Sequence, residues 1–175
     1  PLGSLPSWEL VGLEDPWRYR NKAEFSFGMI DGDIVLGYHE AGSYWRIVDL
    51  EDCLLLPEAA MPPVRKLLQL VRESGASIYH PKSHEGFFRY VVVRVSHATG
   101  HVMLCVVTAS GSRVVVEEMA QAIRAHHPQV IGCWWGITDR MADVAQPQER
   151  ILLQGQETFQ EQIGPFQLTV DPLSF

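Results

Sequence analysis

Two runs, FFRYVVVRVS at 87–96 and HVMLCVVT at 101–108, flank the four residues HATG. Valine is stiff at χ1 and packs well on a pleated surface, so such runs resist helix and favour strand. A short turn between two of them predicts a hairpin, and their apolar density predicts the centre of a sheet. Whatever else the chain folds into must be built around this pair.

The remaining pattern supplies partners for it. AEFSFGMIDGDIVLGYH (23–39) reads as a second hairpin turning at Asp-Gly-Asp, and YWRIVDL (44–50) as a further strand. MPPVRKLLQLVRES (61–74) places Val64, Leu67, Leu68 and Val71 at helical spacing, with prolines suited to the first turn and Gly75 to the stop. VVVEEMAQAIRAHHP (114–128) reads as a second helix halted before Pro128, and VIGCWWGI (130–137) as another strand. The polar stretch 138–149 reads as a loop, and TFQEQI with GPFQLTV as a closing hairpin around Gly164-Pro165. The sum is an α+β fold, an antiparallel-rich sheet with two main helices packed on it.

A chain of 175 residues with 46% hydrophobic content can bury a core in one domain. The net charge of −7 argues against a free-standing nucleic-acid binder, which needs a dense Lys/Arg surface, but not against a module with few local contacts. Cys53, Cys105 and Cys133 are an odd count without a CxxC pair, which points to a reducing compartment. No apolar run is long enough to cross a bilayer, so no membrane partner and a cytoplasmic location are expected. Residues 1–4, PLGS, resemble an expression-tag scar, 5–18 a linker, and 19–175 one domain. The sequence has no GxGxxG, P-loop, HExxH or GxSxG.

Three segments carry a resemblance. They are YRNKAEFSFG (19–28) with LGYHEAGSYWRIVDLEDCLLLPE (36–58), FFRYVVVRVSHATGHVMLCVVT (87–108), and ETFQEQIGPFQLTVDPLSF (157–175). Together they resemble the central portion of the S-adenosylmethionine-dependent RNA uracil-5-methyltransferases of the RumA/TrmA type, nearer to the ribosomal-RNA members (23S rRNA) than to the tRNA ones. The resemblance implies a larger enzyme that makes 5-methyluridine. A Cys thiolate adds to C6 of a flipped-out uridine, C5 takes the methyl group, and a base removes the C5 proton. The nucleophile, the base and the cofactor loop would belong to a C-terminal catalytic domain beyond Phe175. The chain alone is therefore expected to be inactive and to bind no cofactor, with RNA and that catalytic domain as partners.

The resemblance also nominates residues. Arg20, Asn21 and Lys22 are the candidate RNA contacts, beside Tyr19 as a stacking face; the alternative is a solvated start of a strand. Arg18, Arg46 and Arg89 are weaker additions. Phe175 matches a family position where an aromatic can stack on a base. Cys53 falls where many relatives place the fourth ligand of a 4Fe-4S cluster, the other three lying upstream; alternatively it is an orphan thiol. Cys105 and Cys133 read as buried small hydrophobes. Adjacent Trp134 and Trp135 must point to opposite faces, one of them into the core. The scattered histidines lack ligand spacing, so no metal is expected from them. A second reading of the whole chain is a stand-alone protein-interaction domain derived from the same family.

Overall fold

The structure, a computed structural model, describes residue 9 and residues 11–142 and 144–174. Strands β1 (Lys22–Ile30) and β2 (Asp33–His39) pair antiparallel across a two-residue turn. Asp31 and Gly32 there have φ of 51° and 91°, the doubly positive turn whose twist matches that of the strands it joins. β3 (Ile47–Asp49) pairs with β2. It is shorter than the expected 44–50 because Ser43 Oγ accepts the Arg46 N–H at 3.0 Å and holds the preceding residues in a turn.

A short 3-10 turn at Glu58–Ala60 leads into α1 (Met61–Ser74), which ends at Gly75 with φ 65°. Then follow β4 (Phe88–Val95), β5 (Val102–Thr108), α2 (Arg113–His126), β6 (Val130–Ile137) and β7 (Glu149–Gly155). Among the described residues these strands form one seven-stranded sheet in the order β3-β2-β1-β4-β5-β6-β7. β8 (Phe159–Ile163) and β9 (Phe166–Val170) form a separate hairpin.

The α+β architecture is the expected one, with three refinements. β5 and β6 run parallel, joined over α2, inside an otherwise antiparallel sheet. The expected 138–149 loop gives way at Glu149 to β7. Both tryptophans are buried, not one: Trp135 donates its indole N–H to Thr108 Oγ1 at 2.8 Å, and Trp134 packs on the opposite face.

Both helices lie on one face. Val64, Leu67, Leu68 and Val71 of α1 and Val116, Met119 and Ile123 of α2 meet Phe25, Phe27, Val91, Val93 and Leu104 in a single core. The two-residue period of a strand sends Tyr90, Val92, Cys105 and Val107 to the other face. Among the described residues that face carries no helix. Ala145 and Leu173 cover part of it, and the β8–β9 hairpin seats Phe159 and Val170 on Met103.

The hairpin is fixed by a buried carboxylate. Glu161 accepts the N–H of His97 at 2.9 Å, of Ala98 at 3.1 Å and of Gln162 at 3.0 Å, with the Ser96 hydroxyl at 3.3 Å. Burial alone would raise its pKa. The backbone donors and Ser96 outweigh it and hold the group below the ordinary value of 4.5. A carboxylate with a lowered folded pKa adds stability above its unfolded value, and that stability is lost as pH falls through the folded one. Asp52, Asp139 and Asp171 are also lowered, so the acid limb is shared and only a variant isolates Glu161. Glu161→Gln is expected to cost about 1–3 kcal/mol at pH 7 in urea unfolding. The gap from wild type should close as pH drops below about 4.5, the value above which the unfolded carboxyl is ionised. An equal gap at pH 3 and pH 7 would refute the assignment.

Candidate functional site

The helix-free face leaves a cleft of about 380 Å³ at its β1–β2 end. Lys22, Glu24 and Ser26 line it from alternate positions of β1, His39 from β2 and Tyr90 from β4. Val144, Ala145 and Gln146 form the facing wall, with Leu173. Lys22 Nζ lies 3.0 Å from Glu24 Oε1, and Ser26 Oγ 3.1 Å from His39 Nε2. A second recess shares Ser26, His39 and Tyr90 and extends to Trp45 and Tyr79. The cleft thus continues across the sheet toward the 40–46 turn.

The Tyr-Arg-Asn-Lys run divides on reaching this site. Lys22 is the first residue of β1 and enters the cleft wall. Asn21 is half-buried and its carbonyl accepts the Val95 N–H at 2.8 Å, extending the β1–β4 pairing. Arg20 precedes the strand and is exposed, its backbone N–H bonded to the Leu55 carbonyl at 2.8 Å. The neighbouring Tyr19 phenol, with smaller contributions from Tyr38 and Cys53 and burial acting in the opposite sense, raises its guanidinium pKa above the ordinary value. Tyr19 itself is half exposed.

The weaker arginine candidates fare differently from one another. Arg18 spends its donors on Asp52 (2.8 Å) and on the carbonyls of Cys53 (2.8 Å) and Leu56 (3.0 Å), clasping the loop before α1. Arg89 is 3% exposed and donates to the carbonyls of Thr138 (3.0 Å), Arg140 (2.7 Å) and Ala142 (3.1 Å), with its guanidinium 3.9 Å from the Tyr79 ring centroid. Both are structural ties. Arg46 is exposed, 3.3 Å from Glu40 and 5.0 Å above the Trp45 ring.

Cys53 is buried, with Sγ 3.8 Å from the Tyr38 hydroxyl. Among the described residues no group of three or more His, Cys, Asp or Glu side chains is placed to hold a metal ion. Cys105 and Cys133 are buried, and burial pushes both thiols up to about 12, as small hydrophobes require. Phe175 lies outside the described residues. Beside it, the Ser174 carbonyl accepts Arg94 Nη1 at 2.6 Å. Burial lowers the Arg94 pKa, with Asp171 and Glu161 acting in the opposite sense. Among the described residues no helix is long and apolar enough to cross a membrane.

His39, Trp45 and Tyr79 were not singled out by the sequence. His39 ends a strand and Tyr79 lies in a loop, positions without a local signal; a Trp beside an Arg is the one cue visible in the sequence.

Comparison with known proteins finds relatives and a shared fold. No family model matches the chain. A protein of Enterococcus faecalis named as an uncharacterized RNA methyltransferase is 28% identical over 165 residues, which is 94% of this chain and 36% of the relative. One of the same description from Clostridium tetani is 29% identical over 167 residues, 95% of this chain and again 36% of the relative. The chain therefore spans about a third of the length of the curated relatives it matches. Among solved structures, the tRNA (uracil-54, C5)-methyltransferase of Pyrococcus abyssi in complex with S-adenosyl-L-homocysteine matches with a TM-score of 0.70. That match is at 22% identity and covers 93% of this chain and 38% of the other, a shared fold. The relatives are named as RNA methyltransferases, in keeping with the resemblance the sequence carries, and the solved structure shows that the fold is shared.

Proposed function

We propose that this chain is the RNA-recognition and scaffolding module of a larger S-adenosylmethionine-dependent RNA uridine C5-methyltransferase, with ribosomal RNA as its target. The observation that carries the reading is the open cleft on the helix-free face, walled on one side by Lys22. A groove flanked by a cation and an aromatic residue, on a rigid sheet, suits a single strand held by its phosphates with its bases turned inward. The chain contains no glycine-rich cofactor loop, so no residue here is assigned to the cofactor or to methyl transfer. In this reading the chemistry belongs to a separate catalytic domain, and the present module positions the RNA.

Lys22 contacts RNA inside the cleft, and Arg20 and Asn21 extend the contact upstream of it. Glu24, 3.0 Å from Lys22, tempers the local charge, and with a net charge of −7 the affinity of the chain alone is weak and salt-sensitive. Arg20→Ala with Lys22→Ala is expected to reduce the magnitude of the log–log salt slope for single-stranded RNA by about 1.4, from about 0.7 per lost phosphate contact. Fluorescence anisotropy between 20 and 200 mM salt measures it. An unchanged slope and affinity with a lowered melting temperature would make these residues a structural strand start. One observation favours protein contact instead: Ile163, Phe166 and Leu168 at the β8–β9 hairpin are exposed. The same titration separates the two, since a protein-contact module binds no RNA.

A further inference from the structure

We propose that Trp45 is a stacking platform for one unpaired nucleobase of the RNA, flanked by Arg46 and Lys82 as phosphate contacts. This rests on the RNA reading above and names a second contact area within it. Three observations carry it. Trp45 is 44% exposed, on a turn that projects from the edge of the sheet. Two cations from separate segments converge on its ring, the Arg46 guanidinium and Lys82 Nζ, each 5.0 Å from the centroid. And Trp45 borders the recess that continues, through His39, Ser26 and Tyr90, from the cleft holding Lys22.

An exposed tryptophan alone would mean little. A ring with cations gathered on it, at the end of an open path, has the parts of a single-strand site: a π-face that accepts any base, and charges within reach of the phosphates on either side. The cations are available for exchange. Arg46 and its partner Glu40 are 60% and 47% exposed, and a pair so open to water contributes little, so handing the guanidinium to a phosphate costs little. Lys82 is exposed as well. Beneath this platform, Tyr79 is clamped by Arg89 at 3.9 Å and by His84 Nδ1 at 2.9 Å from its hydroxyl, so the 79–86 loop presents Lys82 from a fixed base. Stacking requires an unpaired base, so the ligand is single-stranded RNA rather than a duplex.

The test uses the 175-residue chain, whose five indole N–H resonances report on each tryptophan. An unstructured oligouridylate is titrated in low salt, with the Trp45 resonance assigned by its loss in Trp45→Phe. The expected result is a saturable shift of that resonance. By anisotropy, Trp45→Ala should weaken binding roughly 5- to 100-fold with the salt slope unchanged, and Trp45→Phe should recover most of the loss. Arg46→Ala with Lys82→Ala should instead lower the slope by about 1.4. If the Trp45 resonance stays still while Arg20→Ala with Lys22→Ala weakens binding, the platform is wrong and the RNA module stands. If no resonance moves and no RNA binds, both fall. Should Trp45→Ala fold poorly, the indole shift in the unaltered chain and the Phe variant still decide.

Discussion

Arg89→Met is expected to lower the unfolding free energy by about 3 kcal/mol, seen as a shift in urea midpoint with an unchanged slope. Methionine keeps the length and much of the apolar packing of the side chain on Tyr79, so the change isolates the donors. The native guanidinium serves three carbonyls, those of Thr138, Arg140 and Ala142. A hydrogen bond from a charged donor contributes about 1.5–3 kcal/mol, and an orphaned buried acceptor costs about 1–3 kcal/mol. The gain from no longer burying a cation offsets part of their sum. Arg89→Lys should recover little, because one ammonium cannot reproduce the planar fork that reaches three acceptors. A midpoint within experimental error of wild type for Arg89→Met would mean that the 138–142 segment does not depend on this tie.

The second large effect is expected at Gly86. Its φ of +114° is a conformation L side chains rarely adopt, and a Cβ built there would lie 2.1 Å from the Ile78 carbonyl oxygen and 2.7 Å from Tyr79 Cα. Backbone atoms cannot swing aside as a side chain would. Strain of about 1–3 kcal/mol from the dihedral therefore adds to a clash between two backbone segments that the Ile78–Phe88 and His80–Glu85 bridges hold together. Gly86→Ala should cost about 3 kcal/mol or more in the same unfolding measurement. Gly42→Ala is the control: φ is +79° with open space at the Cβ, so only the dihedral term of roughly 1 kcal/mol applies. Equal costs at the two positions would show that the close approach at Gly86 does not matter. Because the 79–86 loop presents Lys82, Gly86→Ala should also disturb the surroundings of Trp45.

Local chemistry explains which parts of the fold were legible in the sequence. The β4–β5 hairpin announces itself because valines on both arms leave no alternative to strand, and α1 because its apolar spacing, its prolines and Gly75 agree. β7 does not, since ILLQ at the sheet edge is half-buried throughout and shows no alternation. The parallel β5–β6 pair is a matter of connection rather than composition, although strand, helix and strand in succession is the pattern that produces it. At the site, strand alternation would put Arg20 and Lys22 on one face, but the strand begins only at Lys22, so Arg20 lies ahead of the alternation. Arg89 looked like a surface cation because burial by three distant carbonyls is invisible along the chain.

The pairing order of the sheet also has a bearing on how the molecule assembles. β4, β5, α2 and β6 meet close neighbours in sequence, whereas β1 must find β4 across the whole of α1, Lys22 opposite Arg94. Closing that long excursion loses chain entropy before any contact repays it, so the hydrophobic half around β4–β6 can condense first and the β1–β3 half docks onto it afterwards. The cleft takes Lys22, Ser26 and His39 from the late half and Tyr90 and Ala145 from the early one. A state with only one half formed would lack it. A ligand of the cleft therefore binds the completed fold alone, and its binding would draw the folding equilibrium toward the last docking step.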